Sequence, residues 1–144
     1  TEITFWHYMS EDKEGKYVVE AVDEFNSSQD EVHVTAQYLP RAELMKQYTI
    51  GVVSGELPDC GMVDNPDHNS YASMGVFEDI TDLYNSWDEA AFLEGSLNSC
   101  YYEDKLYGLP WGTAWDFSIT RRCWMKQGWR FPQPGLSWKR QAKS

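Results

Sequence analysis

Three short apolar segments alternate with two amphipathic segments at the start of the chain, and this order constrains the fold more than any other feature. Residues 3–6 and 59–63 form short apolar runs, and residues 32–38 alternate apolar with polar side chains, as half-buried strands do. Residues 13–26 and 44–52 carry apolar side chains at helical spacing. The strand-helix-strand-helix-strand order predicts an α/β fold, a parallel sheet flanked by helices on right-handed crossovers.

The later part of the chain carries weaker signals of secondary structure. Residues 64–67 have turn composition, and a short helix is expected at 70–74, where Gly75 would stop it. Apolar spacing predicts another helix over 87–98 and a short extended run at 106–110. The 144 residues are enough for one ordinary domain.

The predicted sheet indicates where a ligand would bind. In open parallel sheets, ligands lie beyond the carboxyl ends of the strands. The residues that follow the first predicted strand are His7, Tyr8 and Ser10, and those that follow the third are Asp64, Asn65 and Asp67. We therefore expect a binding site at the loops that hold these residues.

The charge of the chain is unevenly distributed. Residues 1–118 contain all 23 acidic residues and five basic ones, a net charge of −18, whereas residues 119–144 contain seven basic residues and no acidic one. The overall charge of −11 argues against nucleic acid binding, which requires clustered Lys and Arg. Asymmetry of this kind usually indicates an interaction tail.

The chain shows no segment typical of membrane insertion or export. No run of about 18 apolar residues could span a membrane, and no basic stretch followed by an apolar one resembles a signal peptide. Because Thr1 is not methionine, we expect a processed or trimmed amino terminus.

The cysteines and histidines do not have metal-ligand spacing. Cys60, Cys100 and Cys123 form no C-x-x-C pair, so the sequence supports no zinc or redox motif. We expect Cys60 and Cys100 to be buried thiols, because unpaired cysteine packs as a small apolar side chain. His33 should be exposed and inert, since it points outward on its predicted strand.

Four sequence motifs, in order, resemble those of the bacterial extracellular solute-binding family that includes the maltose-type carbohydrate binders. Residues 3–7 (ITFWH) resemble the family's first strand and ligand-side loop, and residues 54–59 (SGELPD) resemble its turn before the third strand. Residues 77–83 (FEDITDL) and 105–112 (KLYGLPWG) resemble a later stretch and the entry to the interlobe strand. The resemblance covers about residues 1–118.

The resemblance implies a function, a location and partners. Its members capture a carbohydrate outside the cell and deliver it to the permease subunits of an ABC importer in the membrane. It implies an extracellular, lipid-anchored or periplasmic protein, with no catalysis, no cofactor and no metal. It also implies a partial periplasmic-binding-protein-like lobe in residues 1–118, whose binding of a mono- or oligosaccharide would be impaired because a second lobe normally closes over the ligand.

Sugar chemistry selects the side chains that would make contact. Aromatic rings stack on the apolar faces of sugars, and carboxylates or amides bind the hydroxyl groups. Trp111, Trp115 and Asp116 lie together in a stretch rich in Gly and Thr, which the resemblance assigns to the interlobe crossover. The predicted ligand-binding set is His7, Tyr8, Asp64, Asn65, Trp111, Trp115 and Asp116.

The resemblance ends near Ser118, and residues 119–144 read as an irregular, basic, out-of-family tail that we expect to be poorly ordered. Reading the standard genetic code two bases later, Cys123 before Trp124 forces Leu, Trp124 before Met125 forces Asp, and Met125 before Lys126 forces Glu. The same frame permits the Glu-Ala-Gly turn and the Pro-Thr-Trp helix opening of the family. We therefore hypothesise a frameshift near Ser118, in the gene or in the determined sequence.

Two other classes of function remain open from the sequence. The many carboxylates could include the pair of a carbohydrate-active enzyme, although adjacent acids such as Glu11-Asp12 are more often solvated surface. Alternatively, the chain could be an interaction module whose basic tail binds an acidic partner, with strongly salt-dependent association.

Overall fold

The structure is a computed structural model that describes residues 1–10, 12, 14–86 and 92–111, and the backbone of residues 115–119. The strands are β1 (Glu2–His7), β2 (His33–Tyr38), β3 (Cys60–Asp64), β4 (Tyr101–Tyr102), β5 (Lys105–Leu106), β6 (Gly108–Trp111) and β7 (Trp115–Ile119). The helices are α1 (Gly15–Ser28), α2 (Arg41–Ser54), α3 (Asn65–Ser73), α4 (Thr81–Asn85) and α5 (Glu94–Asn98).

Five strands form one sheet in the order β2-β1-β3-β7-β6. β1 pairs in parallel with β2 and with β3, which confirms the parallel units expected from the sequence. β7 runs antiparallel to both β3 and β6, so the sheet is mixed on that side. β4 and β5 form a separate two-stranded hairpin.

Each face of the sheet is covered by its own apolar layer. Odd-numbered residues of β1, such as Ile3 and Phe5, pack with Val18 and Phe25 of α1. Trp6, on the other face, packs with a cluster that includes Leu44, Tyr48, Val63, Ala72, Val76 and Phe77, and Tyr8, just after β1, touches both layers. The alternation along one strand therefore places α1 on one face and α2 with α3 on the other, as in a doubly wound fold.

The spacing of buried residues accounts for α2. Leu44, Tyr48 and Gly51, at positions i, i+4 and i+7, are the buried residues of α2. α2 ends at Gly55, whose φ of +77° and hydrogen bond to the Gly51 carbonyl form a left-handed cap. The helix predicted over 44–52 is therefore confirmed and extends from Arg41 to Ser54.

Two predicted elements are wrong in part. Residues 64–67 were expected to form a turn, but α3 begins at Asn65, because Pro66 is compatible with the first turn of a helix. The helix predicted over 87–98 is limited to Glu94–Asn98 in the described residues, and Leu93 is extended at its start. Residues 87–91 of that prediction lie outside the described residues.

Candidate functional site

The sheet brings the predicted site residues to one edge. His7 is the last residue of β1, Tyr8 follows it, and Asp64 ends β3, so all three lie at the carboxyl ends of parallel strands. Asn65 is half-buried and begins α3 directly after Asp64. Trp111 ends β6, which has the same direction as β3 because β7 is antiparallel to both.

The strand register extends this edge to Trp115. Trp115 pairs with Asp64 of β3 on one side and with Trp111 of β6 on the other. Asp116 pairs with Val63 and Pro110, one position further into the sheet. The backbone therefore brings together residues 64, 111 and 115, which are far apart in the sequence.

Asp64 is held by two donors. The Tyr8 hydroxyl donates a hydrogen bond to Asp64 Oδ1 at 2.5 Å, and Arg41 Nε lies 2.6 Å from Asp64 Oδ2. The Asp64 side chain is 21% exposed, so solvent and ligand still reach it. Each carboxylate oxygen has two acceptor sites, which leaves Asp64 able to accept further hydrogen bonds from a ligand.

Arg41 connects Asp64 with a second carboxylate. Its Nη2 donates to Asp67 Oδ2 at 2.8 Å, in addition to the Nε contact with Asp64. The Arg41 side chain is half-exposed, so each ion pair contributes on the order of 0–1 kcal/mol. The consequence is geometric, because the guanidinium fixes the orientation of both carboxylates.

Arg41 was not among the residues predicted from the sequence. It begins α2, immediately after the loop that follows β2, so it lies at the same carboxyl edge as the predicted residues. The topological rule that selected the residues after the first and third strands applies equally to those after the second strand. Applying it there would have identified Arg41.

His7 is buried, with 4% of its surface exposed. Its ring stacks on Phe5, at 5.6 Å between centroids, and lies 6.0 Å from the ring of Tyr38. Burial lowers the pKa of His7 below its ordinary value, and a contact with the Met9 backbone opposes this in part. The imidazole is therefore neutral near pH 7 and offers one donor and one acceptor nitrogen.

The edge combines one exposed ring with polar groups. Trp111 is 38% exposed, whereas Tyr8 is half-buried and donates to Asp64. An exposed ring binds an apolar surface, and oriented carboxylate and amide groups bind hydroxyl groups. This arrangement suits a neutral ligand that presents both apolar faces and hydroxyl groups.

Other sequence expectations concern residues away from this edge. Cys60 and Cys100 are buried, as predicted, and Cys123 lies outside the described residues. His33 is exposed at the start of β2, as predicted. Within residues 1–111 as far as they are described, no group of three or more His, Cys, Asp or Glu side chains has metal-site geometry. In the same part of the chain, no helix is both long and apolar enough to cross a membrane.

The chain matches the family model described as bacterial extracellular solute-binding protein over residues 20–138. This match covers most of the chain, and the chain belongs to that family of bacterial extracellular solute-binding proteins. The family consists of binding proteins rather than enzymes, so the carbohydrate-active-enzyme alternative is not supported. The matched range continues past Ser118, where the resemblance of the four motifs ends. No curated protein sequence matches the chain.

Solved structures of sugar-binding proteins share the fold. The galacto-N-biose/lacto-N-biose I-binding protein of a Bifidobacterium longum ABC transporter, in complex with lacto-N-biose, is 26% identical with a TM-score of 0.67. CpMnBP1 with mannotriose bound is 24% identical with a TM-score of 0.69. For each of these two, the match covers 76% of this chain and 28% of the other.

The sugar-binding protein MalE from Xanthomonas citri is also similar, at 22% identity and a TM-score of 0.69, over 77% of this chain and 28% of that protein. The chain thus spans about 28% of the length of these three proteins. The shared fold confirms the periplasmic-binding-protein-like architecture predicted from the sequence.

Proposed function

We propose that the chain serves the extracellular capture of a carbohydrate for uptake by an ABC importer. The observation that carries the proposal is the carboxyl edge of the sheet, where Tyr8 and Arg41 hold Asp64 next to the register position of Trp115 and close to the exposed Trp111. Membership of the solute-binding family and the sugar ligands of the similar structures support it.

The location and partners follow from the same proposal. A solute-binding protein acts outside the cytoplasmic membrane, in the periplasm or lipid-anchored at the cell surface, and passes its ligand to permease subunits. We propose a mono- or oligosaccharide as the ligand, with no cofactor and no catalysis. We further propose that the 144-residue chain by itself binds sugar weakly, because the described site has one wall and a formed pocket usually buries about 70–90% of a small ligand.

The proposed contacts are His7, Tyr8, Asp64, Asn65, Trp111, Trp115 and Asp116, with Arg41 as a residue that positions Asp64. Trp111→Ala should weaken binding of the best sugar about fivefold, because one stacked ring contributes on the order of 1 kcal/mol. Val53→Ala is the control, since Val53 is an exposed apolar residue at the end of α2, on the opposite side of the sheet from this edge.

The test is a titration of the isotope-labelled chain with a panel of mono- and oligosaccharides. Binding is monitored by NMR, which detects affinities in the millimolar range. Asp64→Asn removes the charge at the centre of the site and should weaken binding at least as much as Trp111→Ala. If both variants remain folded and bind the best sugar with the affinity of the parent, the assignment of the site residues is wrong. If no sugar on the panel binds, the proposed function is wrong.

A further inference from the structure

The amino edge of the sheet, where the parallel strands begin, is negatively charged. Glu2 begins β1 and Glu56 precedes β3, and both side chains are exposed. Neither they nor Asp59 forms an ion pair with a basic residue of the described part of the chain. The charged groups at this edge are the carboxylates of Glu2, Asp30, Glu31, Glu56 and Asp59 and the amino group of Thr1.

Exposed apolar side chains border this edge on the α2 face of the sheet. Ile50 and Val53 are 56% and 88% exposed, because the buried residues of α2 lie on the other side of the helix. α2 begins after β2 and ends before β3, so its last turn lies at the amino edge, beside Glu56. We define the amino-edge patch as Glu2, Ile50, Val53, Glu56 and Asp59.

The chain leaves the sheet next to this patch. β7 is antiparallel to β3, and its last residue, Ile119, pairs with Cys60 at the start of β3. The following residue therefore begins beside Asp59, at the amino edge. Residues 120–144 lie outside the described residues, and they start where the acidic groups are concentrated.

The composition of residues 120–144 complements the patch. The segment contains seven basic residues and no acidic one, and its tryptophans are Trp124, Trp129 and Trp138. Arg121 and Arg122 follow Ile119 within three residues, which span about 10 Å of chain. Basic groups pair with exposed carboxylates, and aromatic rings cover exposed apolar surface.

We propose that residues 120–144, in the reading frame of the present chain, bind back on the amino-edge patch of the same molecule. The basic side chains pair with its carboxylates, and the tryptophan rings cover Ile50 and Val53. The covalent connection favours this partner over a separate acidic protein, because a short flexible linker gives an effective concentration in the millimolar range. The patch lies at the opposite edge from the proposed sugar site, so this inference is independent of the proposed function.

The experiment measures paramagnetic broadening of backbone amide resonances in the full 144-residue chain. A nitroxide spin label is attached to Ser137→Cys in a Cys123→Ser background, and Cys60 and Cys100 are buried and protected from labelling. An unbound flexible segment would visit both faces of the sheet, so a bound one should broaden residues 50–59 about twofold or more than residues 23–28 of α1. In 1 M NaCl, where the Debye length is about 3 Å, this excess should fall by about half or more.

Paired variants test the charges of the patch. Glu2→Lys combined with Glu56→Lys should abolish most of the excess broadening at residues 50–59. Glu20→Lys combined with Asp23→Lys is the matched control, because it makes the same change in net charge at exposed positions of α1 on the other face. Asp59 is left unchanged because it also holds Thr4.

A second pair tests the apolar part of the patch. Val53→Ser should reduce the excess broadening at residues 50–59. Val19→Ser, at a position of α1 that is 45% exposed, should leave it unchanged. Amide chemical shifts away from the substituted residues show whether each variant keeps the parent fold.

A mixture of isotope-labelled chain without the spin label and spin-labelled chain without isotope identifies the occupant. No broadening is expected there, because the proposed contact is within one molecule. Broadening of residues 50–59 in the mixture would assign the patch to a second copy and overturn the inference. Equal broadening of the two faces, or an excess that neither salt nor the charge-reversed patch reduces, would also overturn it.

Discussion

Asp59 and Thr4 join the start of β3 to β1 through three hydrogen bonds. Asp59 Oδ2 accepts from the Thr4 backbone N–H at 2.9 Å and from the Thr4 hydroxyl at 3.0 Å, and the Asp59 backbone N–H donates to Thr4 Oγ1 at 3.1 Å. Two of the four sequence motifs, ITFWH and SGELPD, are therefore in direct contact. This contact fixes the strand whose carboxyl end presents Asp64.

The other two motifs are joined in the same way. Asp79 accepts from the Thr81 hydroxyl at 2.6 Å and from the Thr81 backbone N–H at 3.0 Å, and Thr81 Oγ1 accepts from the Leu106 backbone N–H at 2.9 Å. Lys105 Nζ lies 3.5 Å from Asp79. These contacts attach β5 to the start of α4. Because β6 follows β5 directly in the chain, they also help to position β6 and Trp111.

We predict that Asp59→Ala lowers the free energy of unfolding by about 1–2 kcal/mol, because it leaves the Thr4 N–H without its charged acceptor. Thr4→Val, which keeps the side-chain shape and removes the hydroxyl, should cost less. Urea denaturation measures both. Asp30→Ala is the control, since Asp30 is exposed before β2. Equal effects of Asp59→Ala and Asp30→Ala would contradict the prediction.

Gly61 is required by the close approach of Tyr48. A Cβ built on Gly61 would overlap the Tyr48 hydroxyl, which donates to the Met62 carbonyl at 3.0 Å in a fully buried position. Gly61→Ala should therefore lower the free energy of unfolding by about 1–3 kcal/mol.

The control for Gly61→Ala is Gly95→Ala, because Gly95 is exposed in α5 with open space around its Cβ position. That change should be neutral or stabilise by up to about 1 kcal/mol. Adding Tyr48→Phe to Gly61→Ala should recover part of the lost stability, because it removes the overlapping hydroxyl. A double variant whose loss is the sum of the two single losses would show that the overlap is not the cause.

His7 should make stability depend on pH. Burial lowers its pKa below the unfolded value of 6.5, so the unfolded chain takes up a proton at a higher pH than the folded chain does. The contribution of His7 to the free energy of unfolding is therefore fully present above about pH 6.5. It falls with decreasing pH, by at most about 1.4 kcal/mol per pH unit, until the pKa of His7 in the folded chain is reached.

Chemical denaturation between pH 8 and pH 5 measures this slope. His7→Phe should remove the part that His7 contributes, whereas His33→Gln, at an exposed position, should leave the slope unchanged. A parent and a His7→Phe variant with parallel curves over this range would contradict the assignment.

The hairpin turn between β4 and β5 contains two residues in the left-handed region. Glu103 has a φ of 48° and Asp104 a φ of 63°, and side chains other than Gly are unfavourable there. Asp104→Gly should stabilise the chain by about 1 kcal/mol, and Asp104→Ala should destabilise it. Thermal unfolding should rank the variants Gly above Asp above Ala, and any other order would show that this turn conformation does not determine stability.

The tail hypothesis has a direct test in the coding DNA. Sequencing through codons 112–125 should reveal an inserted or deleted base that restores the Leu-Asp-Glu reading at positions 123–126. Correcting the frame should then yield a chain that continues with the family's Glu-Ala-Gly turn and Pro-Thr-Trp helix opening. A confirmed reading of the present frame, in independently prepared DNA, would establish residues 119–144 as the real tail.

The sequence by itself determined the strands and helices of the first 63 residues. The alternation in 32–38 and the helical spacing of Leu44, Tyr48 and Gly51 reflect which faces are buried, and this periodicity is a local property that the sequence contains directly. The same periodicity placed His7 and Asp64 at carboxyl ends of strands, because parallel strands with crossover helices all end at one edge.

The tertiary structure decided which side chains meet at that edge. Nothing local pairs Tyr8 with Asp64, 56 positions later, or Arg41 with Asp64. The antiparallel direction of β7, which brings residue 115 between residues 64 and 111, follows from strand pairing over some 50 residues. Sequence periodicity specifies which face of an element is buried, whereas the partner on that face depends on how the elements pack in three dimensions.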